Sequence, residues 1–433
     1  MFAGRFSSST GPIGIDYGSC GVKMLQVREK AGRIHVVGAS RIEVALPTPP
    51  EEPTEPGAEP GEPAAAAAAA NETTSLAQQI RAAYSAGGFS GARCVISLAR
   101  DDVHLQSIRL PKMPDDELRQ TALWEASQRF GLDRNAMEVD FIRTGATLQS
   151  GENREEVILI AASHAAIGAR VEPVLAAGLR PIAVDTAFAA LVRTFCRQAR
   201  RESDRASVRA VVDVGESGAT VLIVRGDQVA FCKPIAIGGR HFNMAVAEHL
   251  QMEVPQAAEL RASRIAGERD QKADKPTGAS NESAASDEEH IDMDPATDRA
   301  VYEAVRPLMG DLVKEITLCL RYYGVTFRGH PPEHIILTGG DGLEPRLSDV
   351  LANTCKAPVV FDDPASTLAS SLPGIRTCMN RTPGPGAAWS VALGLSLRGL
   401  IRKSQKVDRR RAASAKSTAS RSHGSAGAAR EAA

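Results

Sequence analysis

Two stretches of this chain place an aspartate at the end of an apolar run and a glycine two residues later. The first is Gly14-Ile15-Asp16-Tyr17-Gly18-Ser19-Cys20-Gly21-Val22-Lys23. Gly18 and Gly21 lack a Cβ, so the backbone there can approach a phosphate and aim its N–H donors at the oxygens. Ser19 adds a hydroxyl, Cys20 completes the turn and Lys23 brings positive charge. Asp16 suits a divalent cation held through water, because magnesium keeps much of its hydration shell. The second stretch, Val212-Asp213-Val214-Gly215-Glu216-Ser217-Gly218-Ala219-Thr220, repeats the order of apolar strand, aspartate, glycine, small polar turn and strand. Alone, each is a glycine-bearing hairpin. Face to face, they could clamp a polyphosphate, with Asp16 and Asp213 flanking one metal through water and Gly215 and Ser217 adding donors.

Two further elements fit that chemistry. Ile335-Ile336-Leu337-Thr338-Gly339-Gly340-Asp341-Gly342 follows a strand pattern, and its glycines would let a base and ribose lie flat against backbone. In Val184-Asp185-Thr186-Ala187-Phe188, Asp185 could order a water or the metal, which makes it the candidate catalytic residue. Other reactive residues lack a pattern. The nine histidines include no His-Glu-x-x-His, and His241 and His249 read as surface or cap residues. Ser163-His164 cannot act as a nucleophile and base, since adjacent strand residues point to opposite faces.

The elements that must position these residues alternate strand and helix. Short β-type runs at Ile13–Tyr17, Val22–Val27 and Ile34–Val37 are separated by glycine-containing turns. The order recurs about 200 residues later at Ala210–Val214, Ala219–Val224 and Val229–Pro234. This predicts a duplicated α/β architecture. The first copy is interrupted by a small α/β piece over Arg93 to Ser163, expected as strands Cys94–Leu98 and Val103–Leu110, a helix over Pro114–Phe130, and strands Met137–Thr144 and Val157–Ala162. That helix opens on Pro114, carries Asp115, Asp116 and Glu117 at its positive end and stops at Gly131. Leu118, Ala122, Ala126 and Phe130 give it one buried face.

At 433 residues the chain needs two or three domains. Hydrophobic residues at 43% and charged residues at 24% exclude a wholly disordered or fibrous protein, and aromatics at 4% leave the cores to aliphatic side chains. The 51 basic and 52 acidic residues give no general electrostatic attraction to nucleic acid or anionic membrane. Seven scattered cysteines without a Cys-x-x-Cys pair argue against a disulfide framework or zinc site and suit a reducing cytoplasm. No apolar run approaches the roughly 20 residues that cross a bilayer, and the Ser-rich start lacks a secretory core. Three stretches stand apart. Pro47 to Pro63 holds seven prolines and five glutamates and runs into seven alanines, as an extended linker. Gly267 to Pro295 holds nine acidic and three basic residues, as a solvated insertion between helices. From Arg402 onward, nine Lys or Arg face two acidic residues in a basic tail.

Together these motifs resemble the actin-like ATPase superfamily of actin, FtsA, sugar kinases and heat-shock chaperones. Within it the chain is most similar to the PilM family of type IV pilus assembly. That likeness is carried also by Arg109-Leu110-Pro111-Lys112-Met113-Pro114 leading to Glu117-Leu118, by Ala176-Ala177-Gly178-Leu179-Arg180-Pro181, and by Ala392-Leu393-Gly394-Leu395-Ser396-Leu397-Arg398. It covers Gly11 to Gly399 apart from the two acidic insertions. The resemblance implies a two-lobed actin-like ATPase fold of duplicated ribonuclease H-like domains with an FtsA-like inserted subdomain. Lobe I would hold 11–46, 71–92 and 164–205, with a linker at 47–70, the insertion at 93–163 and a return at 376–401. Lobe II would hold 206–375, interrupted at 267–295, and a disordered tail would follow from 402 to 433.

The resemblance further implies that ATP and Mg2+ bind between the lobes, at the residues already named together with Gly239 and Arg261. One departure stands out. Relatives carry Ala-Glu-x-x-Lys on the helix near ribose and adenine, whereas Ala257-Ala258-Glu259-Leu260-Arg261 puts Ala258 in place of the glutamate and Arg261 in place of the lysine. Glu259 is one step, about 100° of rotation, away. Arg261 could stack on or hydrogen-bond to the base. Any hydrolysis would be slow, since no strong general base is evident. The implied partners are the N-terminal peptide of a PilN-like inner-membrane protein, the pilus assembly platform and its motor ATPases, with self-association open. The implied location is the cytoplasmic face of the inner membrane. Two alternatives are a GspL-like secretion module without nucleotide turnover, and a sugar or small-molecule kinase, for which no substrate-side base is evident.

Overall fold

A computed structural model describes residues 9–31, 33–43, 75–149, 152–196, 207–273, 294–327, 329–362, 368 and 386–400. The linker at 47–70, the basic tail and most of the acidic insertion lie outside the described residues.

Strands β1 (Ser9–Gly18), β2 (Gly21–Lys30) and β3 (Arg33–Glu43) form an antiparallel meander. A helix over residues 75–86, α1, leads to β4 (Arg93–Ser97), which runs parallel to β1. Then come β5 (His104–Pro111), α2 (Asp115–Phe130), β6 (Met137–Gln149) and β7 (Glu152–Ser163), forming a separate sheet of order β5-β7-β6. The chain returns through α3 (His164–Ala176) to β8 (Arg180–Asp185), parallel to β4, and α4 (Ala187–Phe195) follows. The first large sheet thus reads β3-β2-β1-β4-β8.

The second copy opens with β9 (Val208–Val214), β10 (Ala219–Arg225) and β11 (Gln228–Ile235). Helices α5 (Gly239–Leu250), α6 (Val254–Ala273) and α7 (Pro295–Phe327) come next. The chain then runs through β12 (His334–Thr338), α8 (Leu347–Cys355), β13 (Val359–Phe361) and, after further residues, α9 (Ser390–Ser396). Its sheet order, β11-β10-β9-β12-β13, repeats that of the first sheet strand for strand. The duplication expected from the two hairpins is a real structural repeat.

Two boundaries differ from the sequence expectation. The strand expected to open the inserted piece, Cys94–Leu98, is β4 and belongs to the first large sheet, between β1 and β8. Its four residues from Cys94 to Ser97 are all buried, as suits a parallel strand covered on both faces. The insertion's own sheet begins only at β5. The acidic stretch expected to start at Gly267 is helical at first, because α6 continues to Ala273.

Each of the two large sheets is covered on both sides. In the first lobe, Ile13, Ile15 and Met24 pack on Ile80 of α1 and Val174 of α3. The opposite face, with Leu25 and Val27, receives Ala392, Leu393 and Leu397 in and just after α9. In the second lobe, Val212 and Val221 pack on Phe242 of α5 and on Met309, Leu312 and Ile316 of α7. Phe188, Leu191 and Phe195 of α4 share one core with Val95 of β4 and with Val211, Leu222 and Ile336 of the second sheet. That shared core fixes the lobes against each other. Within the insertion, Pro114 caps α2, Gly131 ends it at φ 67°, and Leu118, Ala122 and Ala126 are buried.

Candidate functional site

The β1–β2 register sets Asp16 opposite Lys23, and the β2–β3 register sets Lys23 opposite Arg41. Cross-strand partners share a face, so Asp16, Lys23 and Arg41 form a row at the end of the first sheet. Asp16 is 7% exposed. Its Oδ1 accepts from the Ser97 hydroxyl at 2.9 Å, and Lys23 Nζ lies 4.0 Å from Oδ2. Ser97 Oγ also accepts from the Tyr17 amide at 3.2 Å, which ties the β1–β2 hairpin to β4.

In the second sheet, Asp213 stands opposite Thr220 on one side and Thr338 on the other. The turn after β12 closes over it. Gly339 has φ +96°, and a Cβ there would lie 2.3 Å from the Val214 carbonyl and 2.6 Å from the Asp213 carboxylate. Only glycine fits that backbone. The Asp341 amide then bonds the Val214 carbonyl at 3.0 Å, fixing the turn on the β9–β10 hairpin. Gly239, first in α5, approaches Asp341 so closely that a Cβ would sit 2.3 Å from its carboxylate oxygens.

The two hairpin turns face one cavity of about 770 Å³ between the lobes. Its walls bring together Asp16, Gly18, Ser19, Cys20 and Lys23 from the first lobe with Asp213, Gly215, Ser217, Gly339, Gly340, Asp341 and Arg261 from the second. Burial pushes the Asp16 carboxyl up. Burial, followed by the charge of Asp16, pushes Asp213 up to about 6, against the pull of Lys23 and Arg100. Two carboxyl groups whose burial favours the protonated form, one of them raised further by the charge of the other, make a place for a cation in a wall of glycine turns. Among the described residues no group of three His, Cys, Asp or Glu side chains is placed to ligate a metal directly. An ion here would be held by two carboxylates and its own water. Burial also pushes the Cys20 thiol up to about 12, with Glu216 and Asp341 adding to it, so this turn cysteine is held as the unreactive thiol.

Three nominated residues stand elsewhere or are already engaged, and the first, Gly239, packs against Asp341 outside the cavity wall. Asp185 is not in the cavity wall. One of its oxygens accepts from the Thr186 amide at 2.8 Å, and the other accepts from Arg193 and Arg398, each at 2.6 Å. Its carboxylate clasps α4 to the segment after α9. Arg261 does reach the wall, yet its guanidinium donates to Glu344 at 2.6 Å, to Asp341 at 3.1 Å, to the Gly239 carbonyl at 3.0 Å and to Asn243. It also stacks over Phe242 at 5.1 Å. Ala258 and Glu259 both line the cavity beside it.

Sequence reasoning missed Glu344, Arg264, Arg100 and Arg41. Glu344 sits fully buried between Arg261 and Arg264, and Arg264 donates onward to Asp298. Arg100 crosses from the first lobe to donate to the carbonyls of Ala219 at 2.7 Å and Ile235 at 2.6 Å in the second. Arg41 alone carried a signal, since it follows from counting the register of the first hairpin onward into β3.

A family model described as type IV pilus assembly protein PilM matches residues 14–273. A solved PilM–PilN type IV pilus biogenesis complex aligns with a TM-score of 0.63 at 22% identity, over 90% of this chain and 98% of that one. Ethanolamine utilization protein EutJ from Carboxydothermus hydrogenoformans aligns with a TM-score of 0.44 at 11% identity, over 90% of each chain. The two-lobed architecture is that of the actin-like ATPases.

Proposed function

The chain belongs to the family of the type IV pilus assembly protein PilM, and from that premise we propose that it is an assembly scaffold that closes on Mg-ATP between its lobes. One observation carries the reading: two matched Asp-x-Gly hairpins, about 200 residues apart in sequence, face a single cavity. In this reading Asp16 and Asp213 hold the hydrated cation. The turns Gly18–Gly21 and Gly215–Gly218 cradle the phosphates, with Lys23 as counter-charge. Gly339 and Gly340 carry the base and ribose. The cation would neutralise the paired carboxylates and the phosphates, and the chain supplies position.

The proposed partner is the cytoplasmic N-terminal peptide of a PilN-like membrane protein, captured in a groove on the first lobe; likeness to a solved PilM–PilN complex supports the pairing. Among the described residues no helix is long and apolar enough to cross a membrane. The partner would therefore bring the scaffold to the inner face of the inner membrane, within reach of the platform and motors. A peptide matching that segment, titrated onto the purified chain, tests the capture directly; absence of binding at any concentration removes it.

Arg261 favours a second reading. Its donors are engaged by the protein and Ala258 offers no acceptor to a ribose, which suits an interaction module that holds no nucleotide. A melting curve with and without Mg-ATP separates the two. A ligand that binds only the folded state stabilises it by RT ln(1 + [L]/Kd), about 2.7 kcal/mol at 100 Kd. The nucleotide reading expects a rise of several degrees that Asp16→Ala removes. The module reading expects no rise in either protein.

A further inference from the structure

Among the described residues four cations line the cleft: Lys23, Arg41, Arg100 and Arg261. Three of them face acceptors of the protein itself. Arg100 donates to two backbone carbonyls, Arg261 to two carboxylates, an amide oxygen and a carbonyl, and Lys23 stands 4.0 Å from Asp16. Among the described residues Arg41 pairs with no carboxylate and no carbonyl, although it is half-buried in the cavity wall.

Register places it there. Lys23 and Arg41 are direct cross-strand partners, so their side chains rise from the same face within about 5.5 Å at the Cβ atoms. Like charges so placed repel and weaken the sheet. An anion between them reverses the sign of that interaction. Both cations act on the thiol of Cys20 in the β1–β2 turn, opposite the charges of Glu216 and Asp341 from the second lobe. Arg41 thus lines the same cavity wall as the turn proposed to cradle phosphate. Gly339, Gly340 and Ala258 of the second lobe line the same cavity as Lys23 and Arg41 and offer a seat for a base. A polyphosphate ligand seated there by its base would extend its phosphates along the wall that holds Lys23 and Arg41.

We propose that Arg41 grips the terminal phosphate of a nucleoside triphosphate together with Lys23, and that it is the residue by which this cleft tells a triphosphate from a diphosphate. A guanidinium presents paired donors that match two oxygens of one phosphate group, which an ammonium cannot do. This inference rests on the reading of the cleft as a polyphosphate site.

The test uses the full chain with magnesium and three probes: ATP, ADP and inorganic tripolyphosphate, each followed by calorimetric titration. Arg41→Ala should weaken ATP and tripolyphosphate at least tenfold while ADP changes by less than about twofold. Arg41→Lys should recover part of the loss. Without ligand, Arg41→Ala should melt at or slightly above the wild-type temperature, because a like-charge contact is removed. Equal losses for ATP and ADP, or no loss for either triphosphate, overturn the proposal. If the wild type binds tripolyphosphate but not ATP, the nucleotide reading fails while the tripolyphosphate loss still decides the role of Arg41. Binding of none of the three probes removes both.

Discussion

Asp213 is half-buried in the cleft wall, where desolvation of its carboxylate outweighs the pull of Lys23 and Arg100. Its carboxyl titrates near 3.8 in the unfolded chain and at about 6 in the folded one. Between those values the folded state keeps a proton that the unfolded state has released, so stability falls as pH rises across that window and stays lower above it. Burial moves Asp16 in the same direction. Metal-stripped protein in chelator should therefore melt several degrees lower at pH 7 than at pH 4.5, by an amount on the order of 2 kcal/mol. Asp213→Asn should flatten the profile. A melting temperature that climbs across the window would show that the two aspartates are already compensated without a cation. Both aspartates were legible in the sequence because chemistry and hairpin coincide there within a few residues. Asp185 shows the opposite case. Its local pattern matched a water-positioning residue, but its role is set by Arg193, eight residues on, and by Arg398, 213 residues away.

The elements that carry the site are locked by contacts of long sequence separation, and these were the least legible part. Glu344 meets Arg261 and Arg264 across 83 and 80 residues, and nothing in its own neighbourhood marks it as a keystone. It ties α6 to the turn after β12, while Arg264 carries the tie on to Asp298 in α7. Removing it leaves two buried guanidinium groups without their shared carboxylate, which costs about 3–5 kcal/mol in comparable sites. Glu344→Ala should lower the urea midpoint accordingly, and a change under about 1 kcal/mol would mean that α6 relaxes away and exposes both arginines. The tight seat of α9 makes a second prediction. A Cβ on Gly394 would lie 2.0 Å from the Ala190 carbonyl of α4, and one on Gly14 would lie 2.2 Å from the Ala392 carbonyl. With backbone on both sides, Gly394→Ala should cost about 1–3 kcal/mol through overpacking, read as a lower midpoint at an unchanged slope. The strand patterns themselves were plain from the sequence. Which sheet β4 joins was not, since a short apolar run does not encode its parallel neighbours.

At the scale of the whole molecule the lobes meet, besides their shared core, at the cleft and at the insertion. At the cleft, Arg100 reaches from the first lobe to the ends of β10 and β11. At the insertion, the buried Glu156 accepts from Arg109 at 3.1 Å and from the Tyr322 hydroxyl of α7 at 2.6 Å, and Arg109 donates to Tyr322 and Thr326. The inserted sheet, built on the first lobe, thus leans on the second. Tyr322 takes no part in the cavity wall, so its hydroxyl can influence a ligand there only through the equilibrium between closed and open lobes. If that equilibrium is shared, loosening the insertion populates the open state, and the apparent affinity falls with the fraction of closed molecules. Tyr322→Phe should then weaken Mg-ATP by a fewfold while speeding amide exchange in β5 and in the last turns of α7. Faster exchange with unchanged affinity would show that the insertion moves by itself. In that case a partner docked on the insertion and a nucleotide in the cleft could not sense each other by this route, because neither would bias an arrangement that the other also reads.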